Sequence, residues 1–419
     1  MKSAARSFER VCVVGLGYIG LPTAAVLATR GVQVIGVDVN AGVIATINRG
    51  DVHIEEPDLD IAVRSAVLSG KLRAVPLPEP ADAYILAVPT PFGEGHKPDL
   101  TYVEAAARAI APVLSRGSLV VLESTSPVGT TGMVAGLLAA ERPDLKVAVE
   151  GAGAADVLLA YCPERVLPGR VLTELVENAR VIGGLTPEAT EAATALYRIF
   201  VSGECIATDA RTAEMVKLTE NAFRDVNIAF ANELSLICDS LGIDVWELIA
   251  LANHHPRVNI LQPGPGVGGH CIAVDPWFIV DSAPAQSRLI RTAREVNDAK
   301  PGFVVDKVRK ALAVTDAPVV ACLGLAFKPD IDDLRESPAL DIARIIAGAT
   351  PAPVLVAEPH IDALPPALAG LANVELTTAE DAIARANIVV LLVNHRAFHD
   401  IPRDALAGKT VIDTRGMWR

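Results

Sequence analysis

The sequence predicts an α/β protein in which two regions of alternating strands and helices are joined by a long central helix. Short apolar runs alternate with helical stretches from Val11 to Ile182 and again from Val319 to Ile412, which is typical of parallel, doubly wound sheets. From Thr212, apolar residues recur at helical spacing. We therefore expect three domains, 1–207, 208–300 and 301–419, with Pro301 at the second boundary.

Individual elements follow from the same patterns. The central helix has an apolar stripe of Met215, Leu218, Ala222, Phe223, Val226, Ala229 and Phe230, and is expected to end at Leu241. Further helices are expected over 244–252 and 288–297, with an irregular segment over 254–276. Beyond the two strands described below, strands are expected over 83–88, 119–122, 157–161, 179–182, 319–323, 354–357, 388–393 and 410–412.

Composition excludes several classes of protein. A chain of 419 residues with 51% hydrophobic and 21% charged content can bury large cores. Its net charge of -13 argues against a nucleic-acid or anionic-membrane surface. The six cysteines show no paired spacing, which favours the reducing cytoplasm. The N-terminus lacks the apolar core of a signal peptide, and no apolar run approaches the about 20 residues of a membrane helix.

A glycine fingerprint lies between the first two predicted strands. The strand VCVVG leads into Gly15-Leu-Gly17-Tyr-Ile-Gly20 and an Ala-rich helix, and the next strand, VQVIGVD, ends at Asp38. Glycines allow a tight turn and close approach of a pyrophosphate to a helix N-terminus, while an acid at this position can bond both ribose hydroxyls. Because that acid would repel a 2′-phosphate, the unit predicts a Rossmann-type domain that binds NAD rather than NADP.

Polar side chains follow the later strands of the first region. Thr90 and Thr125 come directly after two strands, where doubly wound sheets bind ligands, although each could also be a capping or turn residue. After the next strand, Glu164 and Arg165 lie between prolines and indicate a rigid polar loop. On the central helix, Lys217, Asn221 and Arg224 share one face, which periodicity alone would favour as a solvated surface.

The segment Pro263 to Pro276, PGPGVGGHCIAVDP, is the sharpest chemical signal. Four glycines precede Cys271, and they let the backbone adopt positive φ, approach a bulky ligand and present the thiol at a turn. A thiolate there can act as a nucleophile. A buried, inert cysteine is the commoner alternative, and metal ligation by His270 and Cys271 is a third. In the second α/β region, Lys328 and Arg415 follow strands and are well placed for phosphate, unless they are simply surface charges, and Arg335 is a second cation in the loop of Lys328.

Together these motifs resemble the nucleotide-sugar 6-dehydrogenases of the UDP-glucose dehydrogenase family. The resemblance runs from Val11 to Arg419. Its segments are GLGYIGLPTAA, VPTPF, ESTSPVG, AYCPERVLPG, EMVKLTENAFRDVNIAFANELSLIC, HPRVNILQPGPGVGGHCIAVDPWFIV and GLAFKPDIDDLRESP. The wording PGPGVGGHC departs from the wider family and favours an N-acetylated sugar.

The resemblance implies a fold of an N-terminal Rossmann-type NAD domain, a central long-helix domain and a C-terminal Rossmann-like UDP-binding domain. It implies NAD-dependent four-electron oxidation of a UDP-sugar at C6, through a cysteine thiohemiacetal and thioester, with two NAD and one water consumed. We expect UDP-N-acetyl-D-mannosamine as substrate, with UDP-N-acetyl-D-glucosamine as the alternative, and a uronic acid for surface polysaccharide as product. A homodimer paired through the central helices is also implied, with no metal.

The site residues carried over by resemblance fall into three groups. The catalytic group is Cys271, Lys217, Asn221, Asp275, Glu164 and Thr125. The cofactor group is Gly15, Gly17, Tyr18, Ile19, Gly20, Asp38, Thr90, Thr125 and Arg335. The substrate group is Arg165, Val166, Lys217, Asn221, Arg224, His255, Arg257, Gly268, Phe327, Lys328 and Arg415.

Two other classes of function stay open at this stage. A two-electron dehydrogenase of the 6-phosphogluconate dehydrogenase type would share the dinucleotide domain and a helical middle, but would not use a presented cysteine or a second nucleotide domain. A non-catalytic dimer that senses NAD or a sugar nucleotide would require Cys271, Lys217, Asn221 and Asp275 to be incidental.

Overall fold

The computed structural model describes residues 6–149, 154–167, 169–269 and 271–418. The chain divides into two compact units, residues 1–220 and 221–419. Each unit is built on one twisted sheet, which agrees with the predicted α/β class.

The first unit holds eight strands and the helices between them. Its strands are β1 (Arg10–Val14), β2 (Gln33–Val37), β3 (Leu72–Val75), β4 (Ala83–Leu86), β5 (Ser118–Leu122), β6 (Val157–Tyr161), β7 (Arg180–Gly184) and β8 (Cys205–Asp209). Its helices are α1 (Gly20–Thr29), α2 (Ala41–Asn48), α3 (Leu59–Leu68), α4 (Thr101–Ile110), α5 (Thr130–Glu141), α6 (Val171–Glu177) and α7 (Pro187–Tyr197), with 3-10 turns at Glu94–His96 and Ala111–Val113.

The first sheet has the order β3-β2-β1-β4-β5-β6-β7-β8. Alternate residues of β1 enter separate hydrophobic cores: Val11 and Val13 pack in one, Cys12 and Val14 in the other. Burial on both faces explains why the central strands read as continuous apolar runs. The strands β6 and β7 pair antiparallel, so the prediction of a wholly parallel sheet is wrong at this point. Since α6, the helix between them, covers only 7 residues, it does not return the chain to the start of β6.

The second unit has a five-stranded sheet of order β11-β10-β9-β12-β13, in which all the pairs are parallel. Its strands are β9 (Val320–Leu323), β10 (Val354–Ala357), β11 (Val374–Leu376), β12 (Ile388–Leu391) and β13 (Thr410–Asp413). Its helices are α9 (Val245–Ala252), α10 (Asp275–Ser282), α11 (Arg288–Val314), α12 (Pro338–Ala349), α13 (Pro366–Ala369) and α14 (Ala379–Arg385), with 3-10 turns at Arg396–Phe398 and Arg403–Leu406. The long helix α8 (Ala210–Leu241) contains residues of both units.

Helix α11 corrects one expectation. The helix predicted to end at Asn297 continues to Val314, and Pro301 lies inside it. Proline normally ends or kinks a helix, because it lacks an N–H and crowds the preceding turn. Here both halves are anchored by buried residues, including Asn297 before the proline and Val304 after it, so packing outweighs the local cost. The domain limits 1–207, 208–300 and 301–419 stay a prediction.

The apolar stripe predicted on α8 is divided between the interior and the surface. Leu218, Ala222 and Ala229 are buried as expected. Phe223 and Phe230, by contrast, are 68% and 52% exposed, and Met215 is 39% exposed. The apolar stripe is therefore wider than the face that the described residues of this chain cover.

Candidate active site

The turn after β1 is as tight as the fingerprint predicts. Gly15 has φ +92° and its N–H donates to the carbonyl of Val37 at 2.8 Å. A Cβ on Gly20 would lie 1.8 Å from the carbonyl oxygen of Gly15. Gly17 differs from both, because it is exposed and a Cβ there would meet no atom of the described residues within 4 Å. The space beside Gly17 is therefore open to a ligand.

The acid at the end of β2 fastens this turn. One carboxylate oxygen of Asp38 accepts from the backbone N–H of Leu16 at 3.1 Å, and the other accepts from Asn40 at 2.8 Å. Helix α1 then begins at Gly20 with no side-chain cap and no acid in its first turn. An uncapped helix N-terminus beside an open glycine and a half-buried acid fits the pyrophosphate and ribose of NAD. The predicted neighbours Tyr18 and Ile19 lie in this same turn.

Two strand ends meet beside this turn, as the sequence predicts. The hydroxyl of Thr90, after β4, donates to the backbone carbonyl of Thr125, after β5, at 2.5 Å. The hydroxyl of Ser124 donates to the carbonyl of Val88 at 2.6 Å. Thr90 thus links two loops at the carboxyl edge of the sheet rather than capping a helix.

The N-terminus of α5, by contrast, is filled by the protein itself. The carboxylate of Glu214 accepts from the N–H groups of Gly129 and Thr131 at 2.6 and 2.8 Å, and from the Thr131 hydroxyl at 2.7 Å. Burial raises the pKa of Glu214, and these hydrogen bonds act in the opposite direction. The amide groups that would attract an anion to the start of α5 are already hydrogen-bonded to the Glu214 carboxylate.

A buried polar cluster under the first sheet was not identified from the sequence. Glu123 accepts from the Thr23 hydroxyl at 3.3 Å and from the Tyr197 hydroxyl at 3.2 Å. Burial raises the pKa of Glu123 to about 7, although the positive charge of Arg180 lowers it. Arg180 is itself 1% exposed and lies 5.6 Å over the Tyr197 ring. The signal available in the sequence was an acid at the end of an apolar strand, one residue before the Ser-Thr pair.

The loop after β6 is held by its own charged residues. The carboxylate of Glu164 accepts a hydrogen bond from the backbone N–H of Val166. Arg165 forms an ion pair with Glu220 at 2.5 Å and also donates to the carbonyl of Ala179 at 3.0 Å. These contacts hold the charged side chains of Glu164 and Arg165 against their own part of the chain, and the rigidity of the loop stays a prediction.

Two of the three residues on the polar face of α8 are buried and do not form a solvated surface. Lys217 and Asn221 are 7% and 8% exposed, whereas Arg224 is exposed. Asn221 donates from Nδ2 to the Oδ2 of Asp275 at 2.5 Å. Asp275 is 3% exposed and is the first residue of α10. The solvated-surface alternative is therefore wrong for Lys217 and Asn221.

Cys271 lies on the surface of the second unit. Its side chain is exposed, so the alternative of an inert buried cysteine is wrong. Its carbonyl accepts from the N–H groups of Val274 and Asp275 at 3.1 and 2.9 Å, which closes the turn into α10. His270, the partner in the metal alternative, lies outside the described residues.

The start of the Cys271 segment is fixed to α8 by a buried polar chain. The backbone N–H of Gly264 donates to Asn232 Oδ1 at 2.9 Å, and Asn232 Nδ2 donates to Asn297 at 2.9 Å. Asn297 in turn donates to Asp225 at 2.8 Å, and Asp225 pairs with Arg294 at 2.5 Å. Asp225, Asn232 and Arg294 are at most 1% exposed. Asn221 and Asn232, eleven positions apart, thus hold the two ends of the segment.

The glycines of this segment are required by packing as well as by turn geometry. A Cβ on Gly264 would lie 2.8 Å from the guanidinium of Arg415, and one on Gly268 would lie 2.4 Å from the carbonyl oxygen of Glu336. Gly269 has φ +83° and lies against the Phe327 ring. The expectation that all four glycines serve positive φ or ligand approach is therefore too simple. The segment is packed on the two loops that carry Phe327 and Arg415.

The three cations in the strand-end loops of the second sheet occupy different surroundings. Arg415 is half-buried, donates to the carbonyl of Leu392 at 3.1 Å, and has a pKa lowered to about 10 by burial, with Asp413 opposing. Lys328 is exposed. Arg335 is exposed and pairs with Asp333 at 2.7 Å.

His255 and Arg257 are both exposed. The backbone N–H of Arg257 donates to His255 Nδ1 at 3.3 Å.

Three profiles of one family together match most of the chain. Residues 9–201 match the NAD binding domain of the UDP-glucose/GDP-mannose dehydrogenase family, 211–299 its central domain and 321–419 its UDP binding domain. The third match is to a second nucleotide-binding domain. This argues against a two-electron dehydrogenase of the 6-phosphogluconate dehydrogenase type, which would not use such a domain.

Similar full-length proteins carry two kinds of name. An NDP-N-acetyl-D-galactosaminuronic acid dehydrogenase of Ralstonia nicotianae is 64% identical, with 98% of this chain and 96% of that protein covered. A UDP-N-acetyl-D-mannosamine dehydrogenase of Escherichia coli is 59% identical over 99% of this chain and 100% of that protein. A UDP-D-ManNAc dehydrogenase structure from Pyrococcus horikoshii has a TM-score of 0.86 at 39% identity, with 98% and 96% covered. In the described part of the chain, no helix is both long and apolar enough to span a membrane.

Proposed function

Because the chain belongs to the UDP-glucose/GDP-mannose dehydrogenase family of NAD-dependent UDP-sugar dehydrogenases, we propose that it oxidises C6 of UDP-N-acetyl-D-mannosamine to the uronate. The exposed Cys271, four residues before an Asp275 whose carboxylate is held by Asn221, carries the proposal. A two-electron oxidation has no need of this arrangement, whereas a four-electron oxidation is assisted by a nucleophile that converts the aldehyde into a tetrahedral hydride donor.

Gly15, Gly17, Gly20 and Asp38 would hold NAD at the edge of the first sheet, with Thr90 and Thr125 lining the loops beside it. We also assign Arg335 to the cofactor, as the family resemblance indicates. Bound NAD supplies the hydride acceptor for each of the two oxidations. The backbone around Gly17 receives the pyrophosphate, and Asp38 selects the cofactor that has a free 2′-hydroxyl.

The first oxidation produces an aldehyde at C6. Lys217 exchanges protons with the C6 hydroxyl, and Lys217 and Asn221 stabilise the negative charge that develops on its oxygen. Their burial strengthens this interaction, since little water screens it. We assign Thr125 to the surroundings of the nicotinamide and the water, as the family resemblance indicates.

The second oxidation passes through Cys271. Its thiolate adds to the aldehyde carbon, and the resulting thiohemiacetal carries an oxyanion that promotes loss of the second hydride. The product is a thioester on Cys271. Asp275 and Glu164 then activate the water that hydrolyses it, which releases the carboxylate and restores the thiol.

The nucleotide sugar is held by cations and by the packed glycine segment. Lys328 and Arg415 bind the diphosphate, while Phe327 and Gly268 contact the nucleotide. Residues from other segments complete the set, namely Arg165, Val166, Arg224, His255 and Arg257.

The identity of the sugar is tested by substrate preference. The purified protein is given NAD with the manno, gluco and galacto epimers of UDP-N-acetylhexosamine, and NADH is counted per sugar consumed. We expect two NADH per molecule of the manno epimer and little turnover of the others. The name of the 64% identical Ralstonia protein makes the galacto configuration a second candidate, and UDP-N-acetyl-D-glucosamine is a third. Preference for either would transfer the assignment to it.

The covalent step is tested by Cys271→Ser. Turnover should fall at least about a thousandfold, because a serine hydroxyl is far less ionised than a thiol at neutral pH. Cys205→Ser is the matched control, since Cys205 is partly exposed on β8, and it should retain activity. Undiminished turnover in Cys271→Ser would exclude the thioester route.

We also propose a cytoplasmic homodimer formed through α8. Phe223, Phe230 and Ile237 recur every seven residues and are 68%, 52% and 46% exposed, and Leu241 extends the row at 65%. A row with this period suits pairing with a second copy of the same helix. Phe230→Asp should convert the dimer to a monomer in light scattering, whereas Glu233→Gln on the same helix should not. A wild-type protein that is monomeric at micromolar concentration would refute the pairing.

A further inference from the structure

A buried hydrogen-bond chain joins three loops at the edge of the second sheet. Glu358, directly after β10, accepts from the N–H groups of Leu325 and Ala326 at 2.7 and 3.0 Å. The same carboxylate oxygen lies 3.0 Å from His395 Nε2. The other ring nitrogen of His395, Nδ1, accepts from the backbone N–H of Asp330 at 2.9 Å. The side chains of Glu358 and His395 are both 0% exposed.

The direction of these bonds defines the state of His395. Because the N–H of Asp330 can only donate, Nδ1 must accept, and the proton of the neutral ring is on Nε2, facing Glu358. Ligand atoms of Asp330, His360 and His395 lie within 4.8 Å of one another, which resembles a metal site. However, both nitrogens of His395 are already engaged, so a cation would have to displace one of these bonds. The geometry favours a purely structural connection.

The chain holds the loop that carries Lys328 on both sides. Before Lys328, the amides of residues 325 and 326 are fixed by Glu358, and after it the amide of Asp330 is fixed by His395. The Asp330 carboxylate adds bonds to the backbone and guanidinium of Arg396, each at 2.9 Å. Asp330 has φ +60°, a conformation that is uncommon for non-glycine residues, although aspartate adopts it more often than most. Lys328 itself remains exposed between these fixed points.

The first sheet shows what the histidine adds. There Asp38, after β2, accepts from the N–H of Leu16, just as Glu358 accepts from Leu325. Gly15 and Gly324 have φ +92° and +89°, and each donates to the last carbonyl of the neighbouring strand at 2.8 Å. In the second sheet His395 engages this carboxylate on its buried side and extends the connection to the loop beyond.

We propose that His395 is a positioning residue for binding of the nucleotide diphosphate, because its Nδ1 holds Asp330 and thereby fixes the backbone that presents Lys328. This inference rests on the proposed assignment of Lys328 to the nucleotide sugar. His395 touches no substrate in this scheme and acts only through the loop.

The test measures binding of UDP to the full-length protein by calorimetry, with kinetics where turnover is observed. His395→Asn places an amide oxygen near the position of Nδ1 and should stay within about threefold of wild type, since it can still accept from Asp330. His395→Gln and His395→Ala lose that acceptor and should weaken UDP binding about tenfold or more. KM for the nucleotide sugar should rise in parallel with kcat nearly constant. His360→Ala is the matched control, since its ring lies 5.2 Å from that of His395 but lacks the bond to Asp330.

A second set of variants separates positioning from general damage. In a Lys328→Ala background, the additional loss from His395→Gln should largely disappear, since both changes act on one interaction. NAD affinity should be unchanged throughout. Wild-type UDP affinity in His395→Gln, or an undiminished further loss in the Lys328→Ala background, would overturn the inference. Should His395→Ala fail to fold, the Asn and Gln variants carry the test alone. If the wild-type protein bound UDP but oxidised no sugar, the proposed function would be refuted. The comparison of UDP affinity among the His395 variants would still test the role of His395.

Discussion

The side chain of Asn232 offers a direct test of how the Cys271 segment is held. Asn232→Ala removes the acceptor of the Gly264 N–H and the donor to Asn297 Oδ1, both of which are buried. An unsatisfied buried group costs about 1–3 kcal/mol, so the two together should cost roughly 2–6 kcal/mol. Since the Gly264 bond fixes the start of the segment, much of this cost should appear as easier local opening over residues 263–269.

Hydrogen exchange followed by mass spectrometry measures that opening. At about 1.4 kcal/mol per factor of ten, exchange in a peptide covering these residues should accelerate by roughly 30-fold to 20,000-fold. Turnover should fall as well, because Cys271 would be presented in many geometries instead of one.

Asn227→Ala is the matched control. It lies on the same helix, but its side chain donates only to the carbonyl of Phe223, so exchange over 263–269 should not change. If Asn232→Ala exchanged like wild type over these residues, the polar chain would not hold the segment.

Two further predictions concern the first unit. Gly17→Ala should leave the melting temperature unchanged yet weaken NAD binding about tenfold or more, since its Cβ can meet only a ligand. Gly20→Ala should lose both stability and NAD binding, because its Cβ would lie 1.8 Å from the carbonyl oxygen of Gly15. A Gly17→Ala protein that binds NAD normally would contradict the assignment of Gly17 to the cofactor. For Glu123, a folded pKa of about 7 lies above the unfolded value of 4.5, so the native state binds the extra proton and stability should fall by about 3 kcal/mol as pH rises from 4.5 to 7. Denaturant unfolding at pH 5 and 8 should show this loss in wild type and in Glu191→Gln, an exposed control, but not in Glu123→Gln. An identical pH dependence in all three proteins would exclude a raised pKa for Glu123.

The sequence was most informative where strands are buried on both faces. Runs such as that of β1 signal their burial directly, and the Gly15 turn with Asp38 follows from backbone geometry alone. Strands β3, β8 and β11 were not predicted, since they are short or partly exposed and their residues carry a weak apolar pattern. Continuation of α11 through Pro301 could not be predicted either, because it depends on tertiary packing.

In the candidate site, residue types were predicted more successfully than their contacts. Exposure of Cys271 and the meeting of Thr90 with Thr125 follow from glycine content and from the geometry of parallel strands. The contact of Gly264 with Arg415 joins residues far apart in the sequence, so no local pattern could reveal it. The buried bonds of Asn232 were equally hidden, because an asparagine on a helix normally indicates a surface position.

The carboxylate that Glu214 places at the start of α5 also affects which anions the first sheet attracts. Two neighbouring helices begin at the same edge, yet only α5 has a side-chain carboxylate bonded to its first amides, whereas α1 begins without a side-chain cap or an acid in its first turn. A phosphate at the start of α5 would have to displace the Glu214 carboxylate, whereas no side-chain cap has to be displaced at the start of α1. The position of the protein's own carboxylate, at α5 and not at α1, therefore decides which helix N-terminus at this edge can receive a phosphate.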